Sequence, residues 1–239
     1  MKFHLPLLVL VSGPLFAQGE AVKHTLRILP LGDPPPFVQE VRNGVRYELP
    51  APEGSVPPRS VLLSPAAAGG EDAKELALRL RLGTPSAEVS FPLPEERSVT
   101  VRTEAGGAWL KIPLSKADAS LALVWRGGKL WDKARVLTVP DTARDGDFRF
   151  INVTAKPMAV TWGSEKLKLN PATTMIRRAP AGARTVALSI QFPVDGGLRP
   201  CLVTEAEVKA GSRQDYLIYA ADGDKPRLPV KVLALSERL

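Results

Sequence analysis

Apolar and polar residues alternate with a period of two along most of the chain, in short runs. Between Thr25 and Val139 the runs are TLRIL, GVRYEL, SVLL, LALRLRL, AEVSF, SVTVRT, WLKIPL, SLALVW and ARVLTV. After them come DFRFINV, MAVTW, KLKL, MIRRA, TVALSIQF, CLVTEAEV, DYLIYA and LPVKVLAL, each run bounded by Pro, Gly, Ser or Asp. Alternation places every second side chain on one face of a strand. Short strands at this spacing, separated by turn residues, predict an all-β sandwich architecture. With 23 Pro and 19 Gly, long helices have little room. Only EDAKELALRL, from Glu71 to Leu80, would suit a helical turn, and it reads as a short helix or loop feeding a strand.

The alternation breaks at PDTARDGD, from Pro140 to Asp147, a polar segment with the composition of a short interdomain linker. The segments on its two sides correspond. Leu26 to Leu29 matches Phe148 to Ile151, and Pro35 to Val38 matches Pro157 to Val160, both at a spacing of 122. RSVLLS, from Arg59, matches RTVALS, from Arg184, at a spacing of 125. The run from Leu121 to Val139 is similar to that from Tyr216 to Leu235, with Gly127-Gly128 and Asp222-Gly223 at the turns, where positive φ is expected. Four matches in one order predict a tandem duplication. The expected units are residues 24–140 and 147–237, the first enlarged by extra sequence between Pro65 and Gly107.

Residues 1–17, MKFHLPLLVLVSGPLFA, have a basic start, an apolar run and a small residue before a polar one, the layout of a secretory signal peptide. The apolar run is too short to span a bilayer, so no transmembrane segment is expected after cleavage. An exported location, periplasmic or extracellular, follows from this reading. Cys201 is the one cysteine, so no disulfide forms within the chain, and its strand setting suits a buried small side chain. The formal charge is +7, or +6 without Lys2, which favours anionic partners such as an envelope polysaccharide or an acidic envelope protein. The basic residues are dispersed, which speaks against nucleic acid.

The layout resembles a group of secreted bacterial proteins of unknown function with two tandem immunoglobulin-like halves. The resemblance rests on LRILPLGD, from Leu26 to Asp33, and FRFIN, from Phe148 to Asn152. It implies two tandem immunoglobulin-like β-sandwich domains and an exported location, and it brings no active-site residues. FRFINVTAKPMAVTW followed by TMIRR is also similar to the opening of the second domain of periplasmic pilus chaperones. That resemblance implies donation of a strand to an incomplete subunit fold. The first half lacks the long alternating strand with an upstream Arg that the chaperones carry.

Candidate chemistry is sparse. His24 is the only histidine outside residues 1–17, in a stretch expected to fray, so a nucleophile-histidine arrangement has little to build on. One Cys and one His do not make the usual zinc set. The Gly pairs lack the setting of a phosphate loop. The acids Glu71, Asp72, Glu95, Glu96, Glu205 and Glu207 read as solvated surface charge. Asp145-Gly146-Asp147 and Asp222-Gly223-Asp224 read as turns rather than calcium loops. Asn152-Val153-Thr154 is formally a glycosylation sequon. Trp125 and Trp131 flank a hairpin turn with Arg126 and Lys129, and together form the candidate contact for a ligand or partner. The sequence therefore predicts an exported non-enzymatic protein without a cofactor, in a binding or structural role. The alternatives are an assembly chaperone and a carbohydrate-binding module.

Overall fold

The computed structural model describes residues 22–65, 75–142, 144–223 and 226–238. Residues 1–17, read as a signal peptide, lie outside the described residues. The fold is all-β, with several sheets and none closed. In the first half of the chain the strands are β1 (Lys23–Leu31), β2 (Gln39–Arg42), β3 (Val45–Glu48), β4 (Ser60–Pro65) and β5 (Leu76–Arg79). They continue as β6 (Val89–Pro92), β7 (Ser98–Thr103), β8 (Ala108–Pro113), β9 (Ala119–Arg126) and β10 (Ala134–Pro140). The second half contributes β11 (Asp147–Asn152), β12 (Met158–Trp162), β13 (Glu165–Leu169), β14 (Thr173–Arg178), β15 (Thr185–Val194), β16 (Gly197–Glu207), β17 (Ser212–Ala220) and β18 (Val230–Arg238). The stretch read as a possible helix is strand β5 where it is described, and Glu71 to Lys74 lie outside the described residues.

Among the described residues four four-stranded sheets carry the structure, in the orders β10-β9-β1-β6, β5-β4-β7-β8, β14-β11-β17-β18 and β13-β12-β15-β16. In each half the opening strand runs parallel to the penultimate one, β1 beside β9 and β11 beside β17. The first two sheets enclose a core that includes Leu26, Ile28, Val61, Leu63, Val101, Ile112 and Trp131. The other two enclose Phe148, Phe150, Val160, Trp162, Ile190 and Tyr216. Such sheet pairs bury one face of each strand, which is what period-two alternation provides.

Two of the sequence correspondences fall on different structure. RSVLLS is in β4, between β5 and β7, whereas RTVALS is in β15, between β12 and β16. By chain order and pairing, β4 answers to β12 and β15 to β7. Pro35 to Val38 is extended chain ahead of β2, while Pro157 to Val160 leads into and enters β12. Among the described residues the β2–β3 hairpin has no counterpart in the second half, and the chain from Pro65 to Ser98, between β4 and β7, is also longer than the corresponding chain from Trp162 to Thr185, so the first half is enlarged at both places. Short β-runs share composition whichever sheet position they fill, so composition alone misassigns them.

The polar positions of the alternation in β1, β11 and β17 do not face solvent. All six residues of β11 are buried. Leu29, Leu31, Leu121, Leu123 and Val139 of the first half pack against Ile151, Val153 and Leu217 of the second. The two central sheets therefore stack through their outer faces, and Arg27, Arg149 and Arg213 lie between them. Arg149 donates to both oxygens of Asp215, at 2.9 and 2.6 Å, and to the Pro140 carbonyl at 2.7 Å. Arg27 donates through Nε to Asp141 Oδ2 at 2.7 Å, and Arg213 Nη2 lies 3.1 Å from Asp141 Oδ1. Both Arg27 and Arg213 also pair with Glu237. Burial pushes the Glu237 carboxyl up, but its ion pairs with Arg27 and Arg213 outweigh this and hold it below its ordinary value. Asp141, read as part of a polar linker, is thus a buried counterion to three arginines.

His24 is not frayed: it sits in β1, 1 % exposed, with Nε2 at 2.8 Å from Ser120 Oγ. Ser120 Oγ donates to Ser115 Oγ, which donates to the Ala119 carbonyl, so the imidazole is the donor and carries its proton on Nε2. Burial, joined by the nearby Arg97 charge, lowers its pKa from 6.5. Asn152 is fully buried and its amide donates to the carbonyls of Lys156 and Leu169, which removes it as a glycosylation acceptor.

Two outcomes follow. Protonating His24 is more costly folded than unfolded, so stability is complete above pH 6.5 and falls as pH drops through the lowered folded value. His24→Gln is expected to flatten the stability profile below pH 6.5 in urea titrations. Asp215→Leu leaves Arg149 buried without its main partner and is expected to cost about 3–5 kcal/mol. Arg149→Met with Asp215→Leu should recover much of that loss, because removing both charges is far cheaper than removing one.

Candidate functional site

Strands β1, β9 and β17 end at the same pole, and the loops that leave them wall a cleft of about 650 Å³. Its lining includes Asp33, Pro34 to Pro36, Arg126, Lys129, Asp222 and Lys231, drawn from both halves of the chain. The three prolines and Pro52 supply a stiff wall, since each has φ fixed by its ring. A second cleft of about 550 Å³ adjoins it across Asp222 and Lys231, and is lined also by Arg199, Arg227 and Leu228.

Asp33 and Asp222 lock the floor. The Asp33 amide donates to Asp222 Oδ2 at 2.8 Å, and the Asp222 amide donates back to Asp33 Oδ2 at 3.0 Å. Arg126 Nη2 lies 2.9 Å from Asp222 Oδ2, and Lys231 Nζ lies 2.9 Å from Asp33 Oδ2. The Tyr219 hydroxyl donates to Asp33 Oδ1 at 3.4 Å. Burial and the Asp33 charge push the Tyr219 phenol up to about 12, so it stays a donor at neutral pH. Gly32 is required here by proximity: a Cβ on it would sit 2.7 Å from Asp222 Oδ2, an oxygen already pinned by Arg126 and the Asp33 amide. Both carboxylates accept from donors within the chain, which fixes the shape of the floor.

The four residues singled out in the sequence separate. Arg126 and Lys129 both line the cleft, and Arg126 Nη1 donates to the Lys129 carbonyl at 2.8 Å. Lys129 itself is exposed and has no ion pair among the described residues. Trp131 is 2 % exposed and belongs to the first core, 6.5 Å from Trp109, whose Nε1 donates to the Trp131 carbonyl at 2.7 Å. Trp125 is half-buried against the contact between the halves. The two rings therefore form no exposed stacking platform. Asp33, Asp222 and Lys231 were not singled out as a site. Asp33 closes the LRILPLGD run and Asp222 sits in a turn triplet, so each was visible, but nothing in the sequence shows that they meet.

The turn between β9 and β10 also departs from expectation. It spans Gly127 to Lys133 and contains a 3₁₀ turn at Trp131–Lys133, and neither Gly127 nor Gly128 has positive φ. Gly127 is needed because a Cβ there would lie 2.3 Å from the Lys133 carbonyl oxygen. Gly223, in the other turn, does have positive φ, at 99°.

Other candidates resolve as ordinary structure. Glu95, Glu96, Glu205 and Glu207 are exposed, and Glu96 pairs with Lys111 at 2.8 Å. Asp145 accepts from the Ser212 amide at 3.2 Å, and Asp147 pairs with Arg178 at 3.0 Å. Cys201 Sγ donates to the Ile190 carbonyl at 3.3 Å, and burial raises its pKa. Among the described residues no cluster of metal-ligating side chains is present, and no helix is long and apolar enough to cross a membrane. No protein-family model matches the chain, and no curated protein matches it.

Gly127→Ala is expected to destabilise the protein by about 1–3 kcal/mol, because the clash is with backbone. Gly128→Ala, with open space around it, should be neutral or slightly stabilising; paired urea titrations of the two variants measure the contrast.

Proposed function

We propose that the chain is an exported, non-enzymatic binding protein made of two tandem immunoglobulin-like β-sandwich domains, and that its polar cleft receives an anionic envelope polysaccharide. The charge balance of the two adjoining clefts carries the reading. Arg126, Lys129, Lys231, Arg199 and Arg227 face Asp33 and Asp222, and both acids are already engaged by internal donors. The surplus is positive and belongs to exposed groups at the rim, where charge sets recognition and its salt dependence. The common pairing order of the two halves supports the tandem duplication. A neutral-sugar module built on tryptophan stacking has less support, since Trp131 is buried.

The test is retention on an array of acidic and neutral glycans, with a parallel pulldown from an envelope fraction. Binding to acidic glycans should weaken with salt and fall about tenfold in Lys129→Glu with Arg227→Glu, both exposed positions. Retention of neutral glycans alone, or binding indifferent to those substitutions, contradicts the reading. Capture of one dominant protein subunit with no glycan retention favours the assembly-chaperone alternative instead.

A further inference from the structure

Among the described residues the β2–β3 hairpin pairs with no other strand. Every residue of β3 is exposed, including Val45 at 52 % and Tyr47 at 49 %. A two-stranded hairpin is marginal by itself, and each edge presents unpaired backbone groups. Its turn is Asn43-Gly44, with φ of 52° and 77°, the left-handed pair that a two-residue hairpin connection requires.

The turn sets the hydrogen-bond phase. Arg42 and Val45 close the hairpin, Glu40 and Tyr47 form the next bonded pair, and the Leu49 amide donates to the Val38 carbonyl at 2.9 Å in the same phase. Val45, Tyr47 and Leu49 therefore turn their amides and carbonyls towards β2, while Arg46 and Glu48 turn theirs outward, to the open edge.

We propose that the outer edge of β3 joins two copies of this chain, antiparallel, about a two-fold axis at Tyr47. In that register each Arg46 faces the partner copy's Glu48 in a hydrogen-bonded pair, and the two Tyr47 side chains meet at the axis. On the same face as Tyr47, Val45 of each copy meets Leu49 of the other. Centring the axis on Arg46 or on Glu48 puts like charges directly opposite, and centring it between residues sets outward groups against inward ones. Charge and hydrogen-bond phase thus select the same register. The other edge is less suited, because Glu40 and Arg42 of β2 already pair with each other at 2.7 Å, whereas Arg46 and Glu48 have no ion pair among the described residues. The product is a four-stranded sheet, β2-β3-β3-β2, with an isologous interface.

Sedimentation velocity of the purified chain over a concentration series tests this. The wild type should show a monomer–dimer equilibrium that weakens with salt. Arg46→Glu and Glu48→Arg should each weaken it about tenfold. The R46E/E48R double variant should restore it, and mixing the R46E chain with the E48R chain should give a heterodimer. Tyr47→Lys should abolish association independently of those charges. A monomer at every concentration, a higher oligomer, or a dimer indifferent to these substitutions would overturn the proposal.

Discussion

Three arginines enclosed between two sheets are the constraint on which the rest of the structure depends. A guanidinium cannot give up water without counterions close at hand, because the desolvation cost of an unpaired buried charge exceeds what most local packing supplies. Arg27, Arg149 and Arg213 accordingly gather Asp141 from the connector, Asp215 from β17 and Glu237 from β18. The connector is thereby fixed in place, the last strand is tied to the first, and the outer faces of the two central sheets are brought within contact. The apolar contacts of Leu29, Leu123, Ile151 and Leu217 then close around the ionic centre. Directional ion pairs specify one orientation, whereas apolar contact alone would tolerate sliding.

The cleft is a consequence of that orientation. With the sheets stacked in one register, the loops leaving β1, β9 and β17 converge, and Asp33 of one half meets Asp222 of the other. The mutual capping of their amides makes the floor of the cleft as dependent on the stacking as the ionic centre is. Gly32 and Gly127 show the same dependence at the level of single atoms, since each leaves room for a group delivered by a neighbouring segment.

Strand content was legible in the sequence because alternation is a local property: TVALSIQF and DYLIYA need no tertiary knowledge to be read as strands. Position in the sheet was not. RSVLLS and RTVALS share a pattern but occupy different places, because pairing partners are chosen by the whole fold. FRFIN alternates like any other strand run, and alternation alone gives no sign that a second sheet covers its polar residues. Arg126 and Lys129 were found because they flank a turn. Asp33, Asp222 and Lys231 were not, since they lie about a hundred residues or more from that turn or on its far side in sequence, and only the stacking joins them. Trp131 flanks the turn in sequence, which made it a candidate contact, but its 3₁₀ turn points it into the core.

The central claim is that the ionic centre makes the two halves one cooperative unit. Trp162 is the only tryptophan in the second half, and Trp109, Trp125 and Trp131 report on the first. Thermal unfolding of the wild type, of Trp162→Phe and of a variant that keeps only Trp162, compared with calorimetry, reads the halves separately. Coincident transitions, with calorimetric and van't Hoff enthalpies that agree, are the expected result. Two separate transitions, one for each set of tryptophans, would contradict the account.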